Sequence, residues 1–79
     1  MGRSDDLEAA LDRLPEPLTE RQRQVAYLIE DGLTYEQIGA ELGISPRTAK
    51  AHGDVIKRKL GVRFKRQIPP ALRKREGRS

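Results

Sequence analysis

Thr34-Tyr-Glu-Gln-Ile-Gly-Ala-Glu-Leu-Gly-Ile-Ser-Pro-Arg-Thr-Ala-Lys-Ala-His-Gly-Asp-Val-Ile-Lys-Arg-Lys-Leu60 reads as a helix, a short turn and a second, basic helix. Thr34 and Gln37 have the spacing of a capping box that opens the first helix, and Ile38 and Leu42 give it an apolar face. Gly39 is small enough to let two helices cross closely, and Gly43 closes the helix with a residue free to take positive φ. Ser45 then caps the next helix, with Pro46 at the first helical position, where a missing N–H costs nothing. Along that helix Ala49, His52, Ile56 and Leu60 share one face. Arg47, Lys50, Ala51, Asp54, Lys57 and Arg58 fall away from it, which turns the cations outward. Gly53 is out of place in mid-helix, at a cost of about 1 kcal/mol relative to Ala. Either a close approach demands it or the helix is locally weak.

Outward from this stretch, Thr19 and Gln22 repeat the capping box, Val25, Leu28 and Ile29 supply a buried face, and Gly32 stands at the C-cap. Upstream, Ser4 caps a short helix through about Leu14 whose Leu7, Leu11 and Leu14 form a stripe expected to fold onto the same domain. Pro15-Glu16-Pro17 is a stiff connector. Downstream, Arg63-Phe-Lys-Arg-Gln-Ile68 is expected to start a fourth helix that Pro69-Pro70 interrupt, leaving Ala71 onward as a turn or two. The expectation is an all-α bundle of four helices around a central helix-turn-helix, plus the short N-terminal helix. Its divisions are residues 1–17 as helix and linker, 18–75 as the domain and 76–79 as a disordered tail.

A chain of 79 residues forms one small domain. With no cysteine it has neither a disulfide framework nor a cysteine zinc site, so helix packing must hold it. No apolar run approaches the roughly 20 residues of a membrane span, and the cytoplasm is the expected compartment. The net charge of +4 is unevenly spread. Residues 1–45 hold four arginines against ten acids, a balance of −6, whereas residues 46–79 hold twelve Lys or Arg against Asp54 and Glu76, a balance of +10. A cationic half built on a helix-turn-helix points to a polyanion, and the turn spacing points to double-stranded DNA.

The residues expected to meet DNA are Ser45, Arg47, Thr48, Lys50, Ala51, Asp54, Lys57, Arg58, Arg63 and Lys65. Ser45 and Thr48 sit with the free N–H groups at the start of the third helix and suit a phosphate. Lys50 is the best placed to read a base, whereas Arg66, beside Lys65, suits backbone phosphate. Three aromatics, Tyr27, Tyr35 and Phe64, do not alternate with basic residues, which argues against a stacking platform for single strands. Catalysis is not expected: there is no carboxylate pair with a base, no nucleophile beside a histidine and no Gly-rich phosphate loop. His52 is the sole histidine and is read as a core-edge residue, so no metal, cofactor or small-molecule substrate is expected.

From Leu18 to Val62 the chain resembles the DNA-binding domain of the LuxR family, the GerE or NarL type. The resemblance lies in Leu18-Thr19-x-Arg21, Val25, Gly32-Leu33-Thr34, Glu36-x-Ile38, Leu42-Gly43-Ile44-Ser45, Thr48-x-Lys50-x-His52, Ile56 and Lys59-Leu60-Gly61-Val62. It implies a four-helix domain of a bacterial transcription regulator, with the third helix, residues 46–60, in the major groove and the fourth pairing two protomers. Carried over by position, the family's base-contacting sites fall on Lys50, Ala51 and Asp54. Asp54 departs from the usual basic or polar residue; it can accept from cytosine N4 but repels phosphate. Gln22 stands where the family usually has Glu, and Ala49 where it usually has Val. Pro69 and Pro70 fall in the family's dimerising helix, so pairing through that helix is not expected here. Members usually carry a sensing domain ahead of the reader, and residues 1–17 have room for one short helix. The chain is therefore either a stand-alone reader or a piece of a longer protein. Specific recognition would then use two copies on DNA or a partner such as RNA polymerase. A protein adaptor contacting RNA polymerase or another regulator through the same fold is the alternative function, favoured by the acidic first half and the leucine stripe.

Overall fold

Thr19 and Thr34 each start a helix by the same reciprocal pair of hydrogen bonds. Thr19 Oγ1 accepts the Gln22 N–H at 3.1 Å while Gln22 Oε1 accepts the Thr19 N–H at 3.0 Å. Thr34 and Gln37 do the same at 3.1 and 2.8 Å. The computed structural model describes residues 16–78. Within them lie α1 (Glu20–Glu30), α2 (Tyr35–Leu42), α3 (Pro46–Leu60), a 3₁₀ turn (Lys65–Gln67) and α4 (Ile68–Arg75), with no strand among the described residues. The all-α, four-helix expectation holds. The helix expected over residues 4–14 lies outside the described residues.

The core is built from the apolar stripes read above. Leu18, Val25, Ala26, Ile29, Ile38, Ala49, Ile56, Ile68 and Leu72 are buried, with Leu28, Leu33, Leu42, Ile44, Leu60 and Val62 packed around them. α3 lies mainly on α2, and α1 spans both α3 and α4. Two glycines set the directions of the chain. Gly43 and Gly61 end α2 and α3 at φ 70° and 72°, a left-handed conformation that costs an L side chain about 1–2 kcal/mol.

The end of α3 is tied to both termini of the described chain. Lys59 Nζ donates to the Pro17 carbonyl at 3.1 Å and to Gln22 Oε1 at 2.8 Å, so the α1 capping residue also anchors α3. Arg75 Nη2 donates to the Lys59 carbonyl at 3.0 Å, satisfying an acceptor that the helix end leaves free.

The fourth helix corrects the sequence expectation. Arg63–Gln67 does not start it: Gln67 Oε1 accepts the N–H groups of Arg63 at 3.0 Å and Phe64 at 2.9 Å, holding this stretch as a turn. The helix begins at Ile68, and Pro69 and Pro70 stand in its first turn rather than interrupting it. First-turn N–H groups have no intrahelical acceptor, so two prolines there remove nothing. Ile68, immediately before a proline, is still helical at φ −62° and ψ −49°. Burial of Ile68 and Leu72, one turn apart on the core face, outweighs the local preference for extended backbone.

Residues 76–78 also differ from the expected disordered tail. Tyr27 Oη donates to Glu76 Oε2 at 2.6 Å, and Arg78 Nη2 reaches both carboxylate oxygens of Glu30 at 3.0 and 3.1 Å. The Glu76 hydrogen bond holds the Tyr27 phenol above its ordinary pKa. Their place at the chain terminus suggested a disordered tail, but these partners lie 48 or 49 positions away and had no local signature. The contacts are at the surface and screened. Deleting residues 76–79 is expected to lower Tm by no more than a few degrees and to leave the helical circular dichroism intact; a collapse of the melt would show that the tail holds α4.

Candidate nucleic-acid interface

α3 presents its outer face because its inner face is fully used. Ala49, Gly53 and Ile56 are buried while Arg47, Lys50, Ala51, Asp54 and Arg58 are exposed. At its start Ser45 Oγ accepts the Thr48 N–H at 3.0 Å and donates to Thr48 Oγ1 at 2.9 Å. These hydroxyls therefore form the cap, and both residues remain solvent-exposed. The first turn of α3 contains no acid, so no carboxylate offsets the partial positive charge at the helix start. Lys57, Arg58 and Lys59 crowd its last turn, where cations stabilise the opposite pole.

The charges of this face are not equivalent. Lys57 Nζ pairs with Asp54 Oδ1 at 3.1 Å one turn away, so Asp54 both carries negative charge on the outer face and restrains a neighbouring cation. Lys50, Arg47 and Arg58 make no ion pair among the described residues. Arg63 is exposed on the turn after α3. Lys65, expected among the residues that meet DNA, has partners within the domain. Its ammonium lies 4.4 Å from the centre of the Tyr35 ring and donates to the Leu33 carbonyl at 3.2 Å, so it braces the loop before α2. Arg66 lies over the half-exposed Phe64 ring at 4.7 Å. His52 is half-buried on the inner edge of α3.

Tyr35 is the residue sequence reasoning missed. Its ring fills the space above Gly53: a Cβ added there would stand 2.8 and 2.9 Å from ring carbons, closer than real contacts allow. Of the two readings left open for Gly53, close approach is therefore the right one. The signal was the mid-helix glycine itself, but it could not say which side chain approached. Gly39 has the same role against backbone, since a Cβ there would stand 2.6 Å from the Ile44 carbonyl oxygen.

A capped helix with a cationic outer face, held over a positioning helix by a glycine turn, defines a helix-turn-helix domain of the class that presents one helix to a ligand. The chain belongs to the luxR family of bacterial regulatory proteins, whose family model, GerE, matches residues 16–69. It is 47% identical over 47 residues to the transcriptional regulatory protein UhpA of Escherichia coli K12, and equally to UhpA of Salmonella typhimurium. It is 40% identical over 47 residues to the transcriptional regulatory protein MctR of Rhizobium johnstonii. Each match covers 60% of this chain but only 24%, 24% and 22% of those proteins, so the chain spans about a quarter of the length of the curated relatives it matches. No solved structure matches significantly.

Proposed function

We propose that this chain is a sequence-specific reader of double-stranded DNA in a bacterial transcription regulator, with α3 in the major groove. The observation that carries this reading is the division of α3 into a buried inner face and an outer face bearing Arg47, Lys50, Ala51, Asp54 and Arg58. Family membership supports it. Lys50 and Ala51 are the direct readers, Lys50 through a purine acceptor and Ala51 through apolar contact with a thymine methyl; Asp54 accepts from cytosine N4. Ser45, Arg47, Thr48, Lys57, Arg58 and Arg63 hold phosphates. Lys65 acts mainly by bracing α2. The domain is a non-catalytic binding module of the cytoplasm; no helix among the described residues is long and apolar enough to cross a membrane. Two copies on DNA, or a partner such as RNA polymerase, extend its small footprint.

Selection from a randomised duplex pool, followed by anisotropy titration across salt, tests the reading. An enriched motif is expected, with log K falling against log salt by about 0.9 per phosphate contacted. One enriched half-site or two, with sedimentation of the complex, reports the copy number. Binding to all sequences alike that disappears at physiological salt would sink the specific reader and favour a protein-binding role.

Asp54 provides a second, independent test. Asp54→Ala removes a negative charge from the groove face and releases Lys57 from its pair. Binding to unrelated duplex is expected to tighten several-fold, whereas discrimination at one base pair of the selected site falls by about 1–3 kcal/mol. Unchanged discrimination would remove Asp54 from the readers.

A further inference from the structure

The pairing of Tyr35 with Gly53 reaches beyond packing. We infer that Tyr35 Oη is a DNA contact, donating a hydrogen bond to a backbone phosphate from a notch that Gly53 opens in α3; this rests on the duplex-binding reading above. Gly53 lies three residues after Lys50 and four before Lys57, at the border between the buried and outer faces of α3. A side chain at position 53 would occupy the space held by the Tyr35 ring, and the hydroxyl stands nearest of all to that space. The phenol therefore enters the edge of the cationic face from α2, in place of a residue of α3.

Three observations give the hydroxyl a task. The ring is held on its face by the Lys65 ammonium, itself tied to the Leu33 carbonyl, so the phenol is fixed in position. Tyr27 finds a carboxylate on Glu76, whereas the Tyr35 hydroxyl has no such partner among the described residues. Burial pushes the phenol above its ordinary pKa; the Lys57 charge pulls the other way and the Asp54 carboxylate adds to the rise, so the hydroxyl remains a neutral donor at physiological pH. A fixed donor whose ring lies under the Lys65 ammonium, and which feels the charge of Lys57 as well as of its partner Asp54, suits an anionic oxygen. Tyr35 is also the first residue of α2, and in helix-turn-helix docking the helix before the reader is the one that crosses the DNA backbone. Phosphate is accordingly favoured over a base edge.

Tyr35→Phe keeps every ring atom that meets Gly53 and deletes only the hydroxyl. On the duplex selected above, and on an unrelated one, it is expected to weaken binding by about 3- to 10-fold alike, the effect of one hydrogen bond. The salt slope should not change, because a neutral donor releases no counterion, while Lys57→Gln should flatten it by about 0.9. Replacing phosphates one at a time by methylphosphonates should locate one position at which wild type and Tyr35→Phe bind equally. Wild-type affinity in Tyr35→Phe, or a loss confined to one base pair, would overturn the phosphate contact and leave the duplex reader standing. Failure of the wild type to bind any duplex at low salt would remove both.

Discussion

Gly39→Ala is expected to destabilise the domain by about 2–3 kcal/mol and to lower Tm by roughly 10–20 °C. In an unobstructed helix the same change would stabilise by up to about 1 kcal/mol, so the sign is the test. The opposite sign arises because the turn folds back onto Gly39: the Ile44 N–H donates to the Gly39 carbonyl at 2.9 Å. An added Cβ would stand 2.6 Å from the Ile44 carbonyl oxygen, 3.2 Å from the Pro46 nitrogen and 3.3 Å from the Ser45 carbonyl carbon. All three are backbone atoms. None can rotate aside as a side-chain tip would, and moving them displaces the Ser45 cap and the whole of α3. Ala40, next in the helix and exposed, is the control. Ala40→Gly is expected to cost about 1 kcal/mol from backbone entropy alone. Thermal melts of the two variants decide the matter: a Gly39→Ala protein as stable as wild type would mean that the two helices do not cross so closely.

Lys50→Ala is expected to cost about 1–3 kcal/mol on the selected DNA site, roughly 10- to 100-fold in affinity, and much less on unrelated duplex. Lys50 is exposed on the outer face of α3 and makes no ion pair among the described residues, so its removal should leave Tm and helicity unchanged. Its ammonium is therefore available to a base edge. Arg66→Ala supplies the contrast. Arg66 lies over Phe64 on the turn beyond α3, and its loss should weaken all sequences alike. Anisotropy titrations of both variants on selected and scrambled duplexes separate the roles; equal losses on every sequence for Lys50→Ala would make it a phosphate contact.

Local chemistry made most of the domain legible. Thr19-Gln22, Thr34-Gln37 and Ser45-Pro46 announce three helix starts, and each cap forms because its partners lie within one turn of one another. Gly43 and Gly61 announce two helix ends for the same reason. The period of the apolar residues then determined which face of α3 is buried, and hence which cations point outward.

What only the tertiary structure decided depends on contacts between distant residues. Pro69 and Pro70 look like breakers until the buried Ile68 and Leu72 place the helix start just ahead of them, where prolines cost nothing. Lys65 looks like any other cation of a basic stretch until Tyr35 and Leu33, about thirty positions earlier, take hold of its ammonium. Glu76 and Arg78 look solvated until Tyr27 and Glu30 meet them. Gly53 bridges the two levels: its place in mid-helix marks a close approach, and only the packing of α2 on α3 names Tyr35 as the group that approaches. Caps and periodicity act over one or two turns and so can be read along the chain. A notch, a brace or a clasp needs two segments brought together by burial, and its partner has no mark in the local sequence.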